Sequence, residues 1–152
     1  MPNKTAKISK NTKKTAQIAK MFLNKILKRN IKHRGALVVG LSGNLGAGKT
    51  TFIQAVARHL GIKNKVSSPT FVIIKKYSLK KPGDYKFLFH LDAYRLKNEK
   101  ELLHLGWGEI INNKKHLVFI EWPENVPKII PSHARFVYIS SDDKEYRYFK
   151  LR

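Results

Sequence analysis

A glycine-rich stretch in the first third of the chain has the composition of a phosphate-binding loop. In GNLGAGKTT, 43–51, the residues Gly43, Gly48, Lys49 and Thr50 match the pattern G-x-x-x-x-G-K-[ST]. Such glycines let backbone N–H groups turn toward phosphate oxygens, the lysine reaches the β- and γ-phosphates, and the threonine hydroxyl binds magnesium. The apolar run ALVVGL precedes the loop and a helical pattern follows it, as the motif requires. The predicted nucleotide-binding residues are Asn44, Leu45, Gly46, Ala47, Gly48, Lys49, Thr50 and Thr51.

A magnesium–nucleotide site also needs a carboxylate, and two acidic residues stand where an apolar strand is predicted to end. Glu121 follows LVFI, and Asp92 follows FLFHL. Glu121 is the better candidate for the carboxylate that binds magnesium or polarises the attacking water. Asp92 is a second catalytic candidate, and a helix N-cap is the alternative interpretation of its position. We therefore predict that Thr50 and Glu121 bind the metal and that Glu121 or Asp92 assists hydrolysis.

A third catalytic candidate, Thr70, lies in SSPTF, 67–71, between the predicted loop helix and the next predicted strand. Many nucleotide hydrolases carry a segment here that senses the γ-phosphate. A simple turn before a strand is the alternative interpretation of the same residues. Trp122, directly after Glu121, is also open to two interpretations, namely stacking on a base or partner, or packing at the rim of the core.

The elements that must position these residues alternate between helical and strand patterns. Apolar spacing predicts helices over 15–29, 50–60 and 99–105 and strands over 36–41, 71–79, 86–92 and 117–122. KKPGD joins the strands 71–79 and 86–92 as a hairpin, and RFVYIS and EYRYFKL flank SDDK as a second hairpin at the sheet edge. The predicted fold is α/β, a P-loop NTPase-like mixed β-sheet flanked by helices, with antiparallel hairpins at the edge.

Length and composition limit the domain organisation and the cellular setting. At 17.5 kDa the chain is expected to form one domain, residues 13–152, preceded by a basic flexible tail, residues 1–12. The chain has no cysteine, which excludes disulfides and cysteine-bound metals. No apolar stretch approaches the length of a membrane span. We therefore expect a cytoplasmic protein without a membrane partner.

Positive charge is concentrated in the first half of the chain. The residues before Asp84 include 19 Lys and Arg and no acidic residue, whereas Asp84 to Arg152 contain 12 basic and 10 acidic residues. One interpretation is an electropositive face that contacts RNA, including tRNA, or an acidic protein. The other is a lysine-rich genome whose surface positions drift to lysine, and composition alone leaves both open.

Five motifs in a fixed order resemble the bacterial TsaE (YjeE) family. They are GNLGAGKTT, SSPTF, HLDAYRL, ELLHLGWGE and IEWPE, which together span roughly residues 36–131. The resemblance places Lys49 and Thr50 at the phosphates and magnesium, Thr70 in a switch-like segment, Asp92 in a D-x-Y-R motif, and Glu121 before the tryptophan of an E-W pair. Members commonly have an acidic residue where Asn44 stands, but this loop position contributes its backbone.

The resemblance implies a small magnesium-dependent ATPase that is required for threonylcarbamoyladenosine modification of tRNA. Hydrolysis would drive a TsaB–TsaD complex through its cycle, while the carbamoyl transfer itself occurs on TsaD. The residues alone support a magnesium-dependent ATPase with a γ-phosphate-sensing segment, and we expect its turnover to be slow without a partner. They leave open a small P-loop kinase, although no lid segment is evident, and a basic RNA-binding module with a structural nucleotide. A GTPase is not favoured, because Asn64-Lys65 is followed by Val66-Ser67 and not by the aspartate of N-K-x-D.

Overall fold

The computed structural model describes residues 6–28, 34–69, 72–81 and 83–152. Seven strands form one sheet, with bounds β1 Lys7–Ser9, β2 Leu37–Ser42, β3 Ile74–Ser78, β4 Phe87–Asp92, β5 His116–Glu121, β6 Arg135–Ser141 and β7 Arg147–Leu151. Four α-helices accompany them, α1 Thr12–Lys28, α2 Lys49–His59, α3 Lys100–His104 and α4 Trp107–Ile111. Two short 3₁₀ helices, Pro123–Asn125 and Pro127–Ile129, follow β5.

The sheet is mixed, and its strand order is β1-β7-β6-β2-β5-β4-β3. The four neighbours β6, β2, β5 and β4 run parallel to one another, whereas β3 pairs antiparallel with β4 and β7 pairs antiparallel with β6 and β1. The predicted mixed α/β fold and both predicted hairpins are confirmed. The predicted position of the second hairpin, β6–β7, at the edge of the sheet is wrong, because β1 pairs with β7 and forms the edge instead.

The central strands are apolar on both faces because helices cover both sides of the sheet. On one face, Leu37 and Val39 of β2 and Phe119 of β5 pack in a core cluster with α1 and α2. On the other face, Val38 and Val118 belong to a second cluster that includes residues of α3 and α4. Side chains alternate between the two clusters along each strand, as the pleat requires. The rigid parallel centre carries the glycine-rich loop at the carboxyl end of β2.

The predicted first helix is confirmed as a helix that covers the core. Helix α1 begins at Thr12, three residues before the predicted start, and it packs along α2. Its buried residues recur at helical spacing and include Ile18, Phe22 and Ile26. The ring centroids of Phe22 and Phe52, one from each helix, lie 5.9 Å apart. This contact anchors the helix that follows the loop.

Strand β1 lies within residues 1–12, for which composition predicts a flexible tail. Residues 1–5 lie outside the described residues, whereas Lys7, Ile8 and Ser9 pair with β7. The Ser9 hydroxyl is buried, donates to the Asn11 backbone oxygen at 2.7 Å, and lies 2.8 Å from Thr15 Oγ1. The segment is therefore ordered from residue 7, through sheet pairing that local composition does not reveal.

Among the helices in the described part of the chain, none is both long and apolar enough to cross a membrane.

Candidate functional site

The loop between β2 and α2 requires glycine at three positions. Gly46 and Gly48 have φ angles of 75° and 109°, a region that residues with a side chain rarely adopt. A Cβ atom at Gly43 would lie 2.5 Å from the Ile139 backbone oxygen of β6. The loop thus packs directly against the neighbouring strand, and its backbone is shaped as the phosphate-binding motif demands.

Lys49, the first residue of α2, is 5% exposed and its ammonium group is held within the loop. The Nζ atom donates to the backbone oxygens of Gly43 and, at 2.9 Å, of Asn44. The same atom lies 4.3 Å from the centre of the Trp122 ring, within the range of a cation–π contact. The lysine is therefore oriented at the mouth of the loop by a carbonyl cradle and an aromatic ring.

The electrostatics of Lys49 combine burial with nearby carboxylates. Burial lowers the pKa of the ammonium group below its ordinary value of 10.5. The negative charges of Glu121, Glu124 and Asp92 act in the opposite direction and favour the protonated form. Glu121 and Asp92 are the two carboxylates that sequence analysis predicted for the site, whereas Glu124 was not predicted.

The hydroxyl of Thr50 and the carboxylate of Glu121 meet directly. Thr50 Oγ1 donates to Oε1 and Oε2 of Glu121 at 3.2 and 3.3 Å. Glu121 is 3% exposed and ends β5, in register with Leu41 of β2 and Asp92 of β4. Because parallel strands end at the same edge of a sheet, the fold brings the loop and both predicted carboxylates together.

Glu121 has a second partner, His90, which sequence analysis did not identify. His90 Nε2 lies 2.7 Å from Glu121 Oε2, and the histidine is fully buried. The other ring nitrogen, Nδ1, is buried without a hydrogen-bond partner among the described residues. A polar residue inside the apolar strand FLFHLD, two positions before Asp92 and hence on the same face, is the signal that could have found it.

Asp92 is 6% exposed, and both of its carboxylate oxygens accept hydrogen bonds. Its Oδ1 accepts a hydrogen bond from the Tyr94 backbone N–H at 2.9 Å, and its Oδ2 accepts one from the Ser68 hydroxyl at 3.4 Å. The first contact spans two residues and stabilises a turn. The next helix begins only at Lys100, so the alternative interpretation of Asp92 as a helix N-cap is wrong.

The predicted γ-phosphate segment is described only in part. Thr70 lies outside the described residues, and its role stays a prediction. Ser67 and Ser68 are described, and Ser68 contacts Asp92. The described portion of SSPTF therefore lies beside one of the two candidate carboxylates.

Trp122 has an unusual backbone conformation at the edge of the site. Its φ angle is 61°, which is strained for a tryptophan. Its backbone N–H donates to the Leu41 oxygen at 3.2 Å, and its ring lies 5.1 Å from the ring of Tyr94 and against Lys49. The half-buried ring is therefore part of the rim that packs around the loop lysine, which favours the packing interpretation.

Most of the predicted residues that the structure describes line a common cavity of about 310 Å³. The lining includes Lys49, Thr50, Asp92 and Glu121, together with Arg147 from β7. Arg147 is the second residue that sequence analysis did not connect with the site. Its signal is also alternation, since it shares the inward face of β7 with the buried Phe149.

Comparison with known proteins identifies the family. The family described as "Threonylcarbamoyl adenosine biosynthesis protein TsaE" matches residues 9–149. Proteins named "tRNA threonylcarbamoyladenosine biosynthesis protein TsaE" are similar in sequence. The one from Rickettsia prowazekii is 34% identical over 119 residues, covering 78% of this chain and 74% of the relative. The one from Haemophilus influenzae is 32% identical over 127 residues, covering 84% and 76%.

A solved structure is similar as well. The crystal structure of YdiB from Bacillus subtilis superposes with a TM-score of 0.71 at 27% sequence identity, covering 96% of this chain and 82% of that one. The region that the family matches, residues 9–149, includes the loop, both strand-end carboxylates and most of the last hairpin. The chain belongs to the TsaE family.

Proposed function

We propose that this protein binds ATP with Mg²⁺ and hydrolyses it. The observation that carries the proposal is the contact of Thr50 Oγ1 with both carboxylate oxygens of Glu121, at 3.2 and 3.3 Å, directly beside Lys49. A lysine, a hydroxyl and a carboxylate at the mouth of a glycine loop are the groups that P-loop nucleotide hydrolases use. The absence of an N-K-x-D sequence at 64–67 favours adenine over guanine.

The oxygen donors at this edge of the sheet suit magnesium. Mg²⁺ prefers oxygen ligands, keeps several waters, and is usually bound through one or two carboxylates together with the phosphates. Thr50 and Glu121 supply such a set, and among the described residues no cluster of three or more His, Cys, Asp or Glu side chains forms a self-sufficient metal site. Thr50 and Glu121 are thus the proposed ligands. When bound, the metal neutralises charge on the β- and γ-phosphates.

The chain's own residues would divide the remaining work. The loop N–H groups and Lys49 bind and orient the phosphates, and burial of the lysine strengthens each electrostatic contact it makes. Glu121, fixed by His90 and Thr50, is the candidate to hold and polarise the attacking water. Asp92 is the second candidate for this role, and Thr70 is proposed to sense the γ-phosphate, next to the described contact of Ser68 with Asp92.

Family membership supports a place in the biosynthesis of threonylcarbamoyladenosine in tRNA. We infer that ATP hydrolysis here serves a TsaB–TsaD-like complex, in which the carbamoyl group is transferred by the partner and not by this chain. The basic first half, with 19 Lys and Arg before the first carboxylate, is the proposed contact surface for tRNA or an acidic partner.

The test combines binding and turnover on the purified chain. ATP and ADP are titrated calorimetrically with Mg²⁺, and phosphate release is then followed with and without a TsaB–TsaD-like complex. Lys49→Ala should abolish binding, because it removes the ammonium that the loop brings to the phosphates. Lys128→Ala, at an exposed lysine that does not line the cavity at the loop, is the control and should bind as the wild type does. Unchanged ATP affinity in Lys49→Ala, or transfer of the phosphate to a small acceptor instead of water, would contradict the proposal.

A further inference from the structure

Arg147 presents an electrostatic problem that the proposed site does not explain. The residue lies in β7, in register with Ser9 of β1 and Ser141 of β6, and its side chain is half-buried. The Nη1 atom is shielded from solvent and has no hydrogen-bond partner among the described residues. Leaving a buried guanidinium N–H unpaired is costly, so this donor calls for a ligand.

The guanidinium lies on the backbone of the loop's last glycine. A Cβ atom built on Gly48 would be 1.9 Å from Arg147 Nη1 and 3.1 Å from its Cζ. Any side chain at position 48 would therefore occupy the space of the arginine. The backbone N–H groups of this loop are the ones that cradle the α- and β-phosphates in P-loop proteins. The arginine thus adds side-chain donors to the part of the loop where phosphate is expected.

Arg147 also connects two neighbouring cavities. It lines the cavity of about 310 Å³ that contains Lys49 and Thr50, and a second cavity of about 420 Å³ that reaches Gly46 and Thr51. Both cavities border the loop, so a phosphate chain lying along the loop would pass within reach of the guanidinium.

Nearby acidic groups do not account for the arginine. Asp142 and Glu145 line the same second cavity, but Asp142 accepts hydrogen bonds from the Tyr148 hydroxyl and from backbone N–H groups of its own turn. Within the described part of the chain, Arg147 forms no ion pair with a carboxylate. Glu121 and Asp92 lie on the other side of the loop, since β5 and β4 follow β2 in the sheet in one direction and β6 and β7 in the other.

We propose that Arg147 binds the diphosphate portion of the nucleotide, from the side of the loop opposite to Glu121. The inference rests on the proposed ATP-binding function and adds a residue to it. A guanidinium is suited to this role because its planar donors match two phosphate oxygens at once, whereas an ammonium is a point charge. Since the contact is with the phosphates that ATP and ADP share, Arg147 sets the affinity for both nucleotides equally.

The test is calorimetric titration of ADP and of ATP with Mg²⁺ into the full chain. Arg147→Gln should weaken both nucleotides by the same factor, roughly 10- to 100-fold, as expected for a lost charge-assisted contact. Arg147→Lys should recover part of the affinity because it restores the charge without the fork. Lys150→Gln is the matched control, since Lys150 is an exposed cation of β7 that points to the other face of the sheet, and it should leave both affinities unchanged.

Thermal unfolding without nucleotide distinguishes a ligand contact from a structural role. Arg147→Gln should unfold within a few degrees of the wild type, because the shielded Nη1 atom has no hydrogen-bond partner among the described residues that its removal would leave unsatisfied. If Arg147→Gln fails to fold, Arg147→Lys carries the test, and an affinity equal to that of the wild type overturns the inference. If Arg147→Gln binds nucleotide as tightly as the wild type does, the inference is overturned and the proposed ATP site stands. Loss of ATP affinity alone, with ADP unchanged, overturns the diphosphate assignment. A wild type that binds neither nucleotide overturns the proposed function together with the inference.

Discussion

His90 Nε2 lies 2.7 Å from Glu121 Oε2, and both buried side chains come from the adjacent parallel strands β4 and β5. Thr50 Oγ1 approaches the same carboxylate from the loop at 3.2 and 3.3 Å. The carboxylate is thus held by a strand residue on one side and by the loop helix on the other. Such outer contacts fix the orientation of a ligand or base and contribute to its activity.

The histidine contact predicts a specific kinetic effect. His90→Ala removes the donor to Glu121 and should lower the rate of ATP hydrolysis about 10- to 100-fold, the usual cost of losing an outer-shell partner. Nucleotide affinity should change little, because the loop and Lys49 remain in place. His90→Gln, which can still donate a hydrogen bond, should retain more activity than the alanine variant. Steady-state kcat and calorimetric affinity measure the two effects separately.

A buried histidine at the other end of β5 provides the control for this prediction. His116 Nδ1 lies 2.9 Å from the Ile110 backbone oxygen, away from the loop. His116→Gln should leave kcat near the wild-type value, even where it reduces stability. Equal losses of kcat in the His90 and His116 variants would mean that the effect reports general destabilisation and not the orientation of Glu121.

The two strand-end carboxylates are expected to differ in importance. Glu121→Gln should keep ATP bound while hydrolysis falls by about 100-fold or more, because an amide can hydrogen-bond but cannot polarise water as a carboxylate does. Asp92→Asn should have the smaller effect, since Asp92 accepts hydrogen bonds from the Tyr94 backbone N–H and the Ser68 hydroxyl, whereas Glu121 accepts from the hydroxyl of the loop residue Thr50. Single-turnover hydrolysis of bound ATP compares the two variants. Normal turnover in Glu121→Gln with an inactive Asp92→Asn would reverse the assignment.

Local sequence signals predicted the centre of the fold and missed its borders. Strands such as LVFIE and the loop helix have strong apolar patterns, and their positions agree with the structure to within one residue. Strand β1 has three residues, of which only Ser9 is buried, and it exists because β7 offers an unpaired edge. Pairing with a strand from the far end of the chain leaves no periodicity in the sequence for a local reading to detect.

The residues of the candidate site also fall into two groups, those that the sequence predicts and those that it does not. The loop and the strand-end carboxylates could be predicted, since each carries its own motif or its position at a strand end. His90 and Arg147 could not, because their importance arises from neighbours that are distant in sequence, Glu121 of β5 and Gly48 of the loop. Each is a polar residue at an inward-facing position of a strand, and this is the only signal in the sequence that either residue has a function.

The hydrogen bonds to Asp142, in the turn before Arg147, predict a lowered pKa for its carboxyl group, and this pKa can be measured. The hydrogen bond from the Tyr148 hydroxyl, at 2.7 Å, and those from the turn N–H groups hold the pKa of Asp142 below its usual 3.8. Tyr148→Phe should bring this pKa back toward 3.8, as followed by NMR titration of the carboxyl group. Tyr138→Phe, at an exposed tyrosine of the neighbouring strand, should not. Because the folded pKa is lowered, the stabilisation by Asp142 is present above pH 3.8 and is lost as the pH falls through the folded value.

The basic first half of the chain is expected to bind its partner through charge. Association with tRNA or an acidic partner should weaken steeply with salt, by close to one unit of log–log slope for each phosphate contact released from RNA. Truncation before Ala6 removes Lys4, one of the 19 basic residues, while leaving β1 and α1 complete. Fluorescence titrations at several salt concentrations measure the slope for both forms. A flat dependence of affinity on salt in both forms would favour a general lysine bias of the genome.

Turnover should depend on the partner complex. Phosphoryl transfer becomes fast when a cation or an ordered segment meets the charge that develops in the transition state, an effect of about 10³- to 10⁵-fold. The candidates are Arg95 of the D-x-Y-R motif, which is exposed, and Thr70 of SSPTF, whose described neighbour Ser68 contacts Asp92. We therefore expect slow hydrolysis by the isolated chain and faster hydrolysis when a TsaB–TsaD-like complex contacts this segment.

Phosphate release measured with and without the complex tests this dependence. Thr70→Ala should remove the acceleration by the partner while leaving the low basal rate, and Thr70→Ser, which keeps the hydroxyl, should restore it. Arg95→Lys and Arg95→Ala, compared in the same assay, report whether the arginine supplies the missing charge. Since hydrolysis and partner contact would then use the same segment, hydrolysis could time the release of the partner. Equal rates in the presence and absence of the complex, with a harmless Thr70→Ala, would mean that one chain carries the complete catalytic site.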